Sequence, residues 1–172
     1  ERELSTKDFI PAQKTELTYN GRWWALPYDY SNIGLYYNRD MFDAAGLPYP
    51  DESYTWDTVL QTAQKLIRRD DTGNTTQWGL GNITWLLSQW AEGFVMSNGG
   101  RIFNESLTAA NARNKGMIEL LRYHTLIGAQ SHVTPLPGEK NAENEWRAGK
   151  AGMTLQGSWA TMVVRSYAQF GF

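Results

Sequence analysis

The sequence predicts an α/β protein in which a mixed sheet is flanked by helices. Three observations carry that expectation. Short runs rich in β-branched and aromatic residues, such as 33–38, alternate with stretches whose apolar residues recur at helical spacing. Gly, Pro and Asn punctuate the joints between them. Finally, 172 residues that are 41 % hydrophobic and 20 % charged can close a packed core.

Taken in order, a short helix is expected over 5–12, broken by Pro11. Residues 23–26, Trp-Trp-Ala-Leu, read as a strand running into Pro27, which lacks an amide hydrogen and marks a strand exit. If that strand is regular, Trp23 and Trp24 point to opposite sides. Residues 33–38 read as a buried strand, with Tyr36 and Tyr37 in the core on one face. Residues 39–45 form a short helix stopped by Gly46, with Pro48 and Pro50 beyond. Thr55 caps a helix over 56–70, in which Val59, Ala63, Leu66 and Ile67 make one apolar stripe. Its first turn holds Asp57 and its last Arg68 and Arg69, as the helix dipole favours.

Residues 70–74 make a solvated turn, and 78–81 a short strand. Thr84 opens a helix reaching Ser97, ended by Asn98-Gly99-Gly100, and 101–103 form a brief strand. The long helix is expected over 109–127, closed by Gly128. A loop with Pro135 and Pro137 follows, then a short helix over 141–148 ending at Gly149. Residues 151–156 form a strand, and Gly157-Ser158 turn the chain into a helix running from Trp159 to 168, with Ser158 as N-cap.

Composition excludes several functions. Sixteen Lys and Arg against 18 Asp and Glu give a net charge of -2, without the basic excess that a nucleic-acid binder uses against phosphates. There is no Cys, so disulfides, thiolate metal sites and a Cys nucleophile are ruled out. No apolar run approaches the roughly 20 residues of a membrane span. His124 and His132, the only histidines, lie eight apart, which is not a metal-ligand spacing. No G-x-S-x-G, P-loop or G-x-G-x-x-G occurs, so the reading is of a protein without cofactor, metal or catalytic residues. A glycosidase carboxylate pair stays open, because such pairs come from distant positions. The unusual content is aromatic: 8 Trp and 9 Tyr, suited to a core and also to a ligand pocket.

Four segments recur in a recognisable order: GRWWALPYDYSNIGLYYNRDMFDAAGLPYP, YTWDTVLQTAQKL, NGGRIF and WRAGKAGMTLQGSWA. Together they span about residues 20 to 165 and resemble the extracellular solute-binding proteins of ABC importers, in the large sugar-binding group that includes maltose-binding proteins. The resemblance implies a bacterial periplasmic-binding-protein-like type II fold. Two α/β lobes are joined by hinge strands, and the ligand sits in the cleft between them. It implies that residues 1–31 are the tail of the first lobe and the hinge crossing, and that 32–172 are an incomplete second lobe lacking its C-terminal helices. The chain then reads as an internal fragment of a longer protein, either free in the periplasm or extracellular space or a lipoprotein anchored at the membrane surface. Implied partners are a sugar or oligosaccharide and the membrane subunits of an ABC permease.

Within that resemblance, Trp159 in QGSWA carries the sharpest expectation. A strand ends, Gly157 allows a tight turn, and an indole projects from a helix start, where its face matches the C–H face of a pyranose. The competing reading is a core Trp at a helix start. Tyr28, Asp29, Tyr30, Ser31 and Asn32 are polar or amphipathic residues between two apolar strands, suited to reading ligand hydroxyls from a cleft floor. Some relatives carry Glu where Ser31 stands, which leaves Asp29 as the substitute acceptor. Trp85, Gln89 and Glu92 share a helix face in a region that lines the cleft in the family, with Trp85 and Gln89 as the expected ligand contacts, while at least one of Trp85 and Trp90 is expected to pack as core. Trp56, a family signature, is expected to be structural. Two other functions stay open: a glycoside hydrolase fragment, and the same fold holding a non-sugar polar solute.

Overall fold

The computed structural model describes residues 6–83, 87 and 90–172. The chain falls into two units, Glu1–Asn32 and Ile33–Phe172.

In the first unit, Thr6–Asp8 forms a 3-10 turn and α1 spans Pro11–Glu16. Pro11 therefore starts the helix that it was expected to break. At the first helical position its missing N–H has no partner to lose, and its fixed φ suits the turn. Strands β1 (Thr18–Tyr19) and β2 (Arg22–Trp23) pair antiparallel across Asn20-Gly21. Both turn residues have positive φ, 49° and 71°, the signature of a two-residue hairpin turn. The strand expected over 23–26 thus ends at Trp23, and 24–32 run without regular structure. Trp23 packs on Phe9 with ring centroids 5.4 Å apart. Trp24 is exposed, its Nε1 donating to the Tyr19 carbonyl at 3.0 Å.

The second unit is a mixed sheet with helices packed against it. Its strands are β3 (Ile33–Tyr37), β4 (Arg68–Arg69), β5 (Thr75–Leu80) and β6 (Ala151–Gly157), in the order β3-β6-β5-β4. β6 is antiparallel to β3, with Ile33 opposite Gly157, and parallel to β5, with Leu80 opposite Met153. Every residue of β6 is buried, the polar Thr154 and Gln156 included.

The helices are α2 (Arg39–Ala45), α3 (Trp56–Leu66), α4 (Ala91–Ser97), α5 (Lys115–Thr125), α6 (Ala142–Arg147) and α7 (Ala160–Tyr167). Asn38, Thr55, Asn114 and Asn141 each accept the amide three residues on, closing the helix starts. Phe42, Leu66, Leu80, Val95, Leu120, Ile127 and Met153 belong to the larger apolar cluster. Trp78, Trp146, Ala151, Ala160 and Val164 make a smaller one.

Several boundaries differ from expectation for identifiable reasons. α3 ends at Leu66 rather than 70, because Arg68 and Arg69 pair with β5, which itself starts earlier, at Thr75. The expected 101–103 strand is a single bridge, Phe103 to Ala110. α5 begins at Lys115 instead of 109, since Asn104 gathers the Thr108 and Ala109 amides into a loop and Asn114 caps the helix. Gly128 does not close it; the chain continues as a π-helical turn, Leu126–Gln130. Of the helix expected from Thr84 to Ser97, α4 is its described part, and 84–86 with 88–89 lie outside the described residues.

Candidate functional site

β5 and β6 run parallel and end at the same edge of the sheet. In open α/β sheets the carboxyl ends of parallel strands are where ligands are held. Beyond β6 come Ser158, Trp159 and α7. Trp159, not Ser158, occupies the capping position, with helical φ and ψ and no capping side chain. The turn is held from β3: the Tyr36 hydroxyl lies 2.6 Å from Thr161 Oγ1 and donates to the Gly157 carbonyl at 3.4 Å. Tyr36 is thus half-buried and polar-bonded, whereas Tyr37 packs on Phe42 at 5.3 Å.

Gly157 has a different reason from the one expected. Its φ is not in the left-handed region, so the turn does not need a glycine. What needs it is the indole: a Cβ at Gly157 would lie 1.8 Å from Cζ3 of Trp159, in hard overlap with the six-membered ring. One indole face is therefore seated on bare backbone. The side chain is 53 % exposed, and its ring lies 6.5 Å from that of Trp90 at 50°. Trp90 itself is a core residue. A seated, half-open indole offers a flat apolar plate with a polar edge.

Residues 28–32 belong to the first unit, without regular structure and exposed. Tyr28 is fully open, and Tyr30 is 53 % exposed. Asp29 Oδ1 accepts the Tyr30 amide at 2.6 Å. Ser31 Oγ donates to the Asn32 carbonyl at 3.4 Å. Trp85 and Gln89 lie outside the described residues.

A polar network at the end of β6 is not among the residues expected from the sequence. Gln156, 7 % exposed, donates from Nε2 to Glu143 Oε2 at 2.6 Å. Arg147 Nε donates to the other oxygen, Oε1, at 3.0 Å. Glu143 stands in the first turn of α6, which leads back into β6, so the contact brings it to the same edge as Gln156. It also lines an open pocket of about 530 Å³ with Asn82, Leu136, Lys140 and Asn141. The loop forming that pocket is tied by Glu139, whose Oε2 meets His132 Nε2 at 2.9 Å and accepts the Leu136 amide at 2.8 Å. The His132 hydrogen bond, then the Leu136 amide, hold the Glu139 carboxyl below its ordinary value.

Elsewhere Trp56 is locked: its ring lies 3.8 Å from Phe94, and its Nε1 donates to Ser97 Oγ at 3.3 Å. Tyr123 donates to the Trp56 carbonyl at 2.7 Å, and burial drives its hydroxyl pKa above the usual range.

Comparison with known proteins gives a consistent picture. A family model described as bacterial extracellular solute-binding protein matches residues 3–170. An ABC substrate-binding protein from Listeria monocytogenes, solved in complex with cycloalternan, superposes with a TM-score of 0.74 at 28 % identity. The match covers 95 % of this chain and 42 % of that one. A solute-binding protein from Thermotoga lettingae bound with α-D-tagatose gives a TM-score of 0.76 at 23 % identity, over 94 % of this chain and 42 % of that one. The sn-glycerol-3-phosphate-binding periplasmic protein of Agrobacterium fabrum is 34 % identical over 79 residues, which is 46 % of this chain and 17 % of that protein. The chain therefore spans less than half the length of these relatives, and its fold is that of type II periplasmic binding proteins.

Proposed function

We propose, since this chain belongs to the bacterial extracellular solute-binding protein family, that it forms part of a carbohydrate-binding subunit of an ABC importer. In this reading residues 1–31 are the tail of one lobe and the hinge crossing, and 32–172 are the second lobe. The protein works outside the cytoplasmic membrane, by capture and delivery to permease subunits, with no covalent chemistry. Lobe closure on the ligand is the hinge motion of this class of protein.

The single observation that carries the reading is the half-open indole of Trp159, seated on Gly157 at the carboxyl end of the central strand. A pyranose laid on it buries apolar C–H area while its hydroxyls stay free for hydrogen bonds. We assign the hydroxyl-reading role to Tyr28, Asp29, Tyr30, Ser31 and Asn32, with Trp85 and Gln89 as further contacts. The exposed, polar run of 28–32 supports the first of these. The carbohydrates bound by the Listeria and Thermotoga relatives favour a sugar ligand over a hydrolytic role.

The test is calorimetric titration of the full-length protein with a panel of mono- and oligosaccharides. Saturable binding of at least one sugar, without its turnover, is expected. Release of reducing ends that a single carboxylate substitution abolishes would replace this reading with a glycoside hydrolase.

A further inference from the structure

We propose that Glu143 is a specificity-determining ligand residue. With Asn82 and Lys140 it forms a subsite at the carboxyl edge of the sheet that accepts sugar hydroxyls and gives no hold to phosphate esters. The proposal rests on the sugar-binding reading above and narrows it.

The argument starts from how the carboxylate is held. Gln156 is nearly buried at the end of β6, and its amide fixes Oε2 at 2.6 Å; Arg147 fixes Oε1 at 3.0 Å. Each donor occupies one lone pair, and an ionised carboxylate offers about four acceptor sites. Both oxygens thus keep an acceptor direction, with the plane of the group already set. The Glu143 side chain is 27 % exposed and lines the 530 Å³ pocket, so a ligand can reach it. A pre-oriented acceptor suits a hydroxyl, which must find a partner when it leaves water.

Charge decides what the subsite refuses. A phosphate ester needs an uncommitted cation or an array of free N–H donors. Arg147 is committed to Glu143, and Lys140, the cation lining this pocket, lies 3.7 Å from Glu145 Oε2. A phosphate placed here would meet the Glu143 carboxylate instead. The distinction matters because one relative is named for sn-glycerol-3-phosphate and others hold neutral sugars.

The experiment titrates the full-length protein with maltotriose, α-D-tagatose, sn-glycerol-3-phosphate and glycerophosphocholine, then repeats the titrations on Glu143→Gln and Asn82→Ala. The expected result is binding of a sugar by the wild type and no measurable heat with either phosphate compound. Glu143→Gln should lose at least fivefold in sugar affinity, and Asn82→Ala about threefold. Tighter binding of either phosphate compound than of both sugars would overturn the proposal and leave the solute-binding family intact. Sugar affinity within twofold of wild type in Glu143→Gln would overturn the proposal alone. If Glu143→Gln does not fold, unchanged affinity in Asn82→Ala overturns it. Absence of binding to all four compounds would overturn both the sugar reading and this subsite.

Discussion

Trp56 and Trp159 both stand at helix starts, and their surroundings set them apart. Trp56 begins α3, stacked on Phe94, with its indole N–H on Ser97 and its carbonyl bound by Tyr123. Trp159 stands at the start of α7 with one face on Gly157 and about half of the residue exposed. The residue type matches and the positions differ by one, yet the first indole is held by three residues from α4 and α5, whereas the second rests on the Gly157 backbone with Trp90 as its aromatic neighbour. A helix start positions an aromatic ring accurately, and the neighbours then decide whether the ring is consumed in packing or left available.

The contrast yields an ordered set of expected outcomes. The largest is the exchange of effects between two alanine substitutions. Trp56→Ala should cost about 3 kcal/mol of stability, the low end for a large aromatic in a packed site, with sugar affinity of the full-length protein unchanged. Trp159→Ala should leave the melting temperature within a few degrees and weaken sugar binding about 100-fold, or ~2.7 kcal/mol. Equal loss of affinity in both variants would erase the distinction.

Next comes Gly157→Ala, which pushes the Trp159 ring off its seat. Sugar affinity should fall about tenfold, whereas the same change made on top of Trp159→Ala should cost no further affinity. A residual cost in that double variant would mean that Gly157 serves the strand and not the indole. A smaller effect is expected from Tyr36→Phe, which removes the hydroxyl that ties Thr161 to the end of β6. About 1 kcal/mol of stability should go, together with amide-exchange protection in the first turn of α7.

The smallest effect concerns pH. Glu139 holds the loop beside Glu143, and its carboxyl titrates below the ordinary glutamate value of 4.5. Its contribution is therefore complete above pH 4.5 and is lost as pH falls through the lower, folded value. The Leu136 amide resonance should shift with a midpoint below 4.5, and Glu139→Gln should abolish that titration. A midpoint at or above 4.5 would contradict the hydrogen bonds from His132 and the Leu136 amide.

Much of the fold is legible in the sequence where local signals agree. α2 runs over the expected 39–45, because Asn38 and Gly46 are cap residues on either side of it. β3 and β6 fall within one residue of expectation, because Asn38 caps the helix that follows β3 and Gly157 ends β6. The β1–β2 hairpin is only half legible: Asn20-Gly21 is a strong turn signal, but the two-residue strands around it are too short to show a pattern. The late start of α5 depends on Asn104 gathering amides four and five residues away, which helical periodicity cannot reveal. At the candidate site, the placement of Trp159 at the start of a helix is legible from the strand-to-helix turn. The placement of Glu143 is not, because it depends on a hydrogen bond to a residue 13 positions later, made only when α6 folds against β6.

The seat under Trp159 also constrains how this chain can change over evolutionary time. A methyl group at position 157 and a ring at position 159 cannot share the same volume, so the two positions are bound to drift together. Natural relatives that abandon the glycine should have exchanged the indole for a smaller side chain first. A lineage that retained the ring beside a bulkier neighbour would have had to rebuild the whole turn.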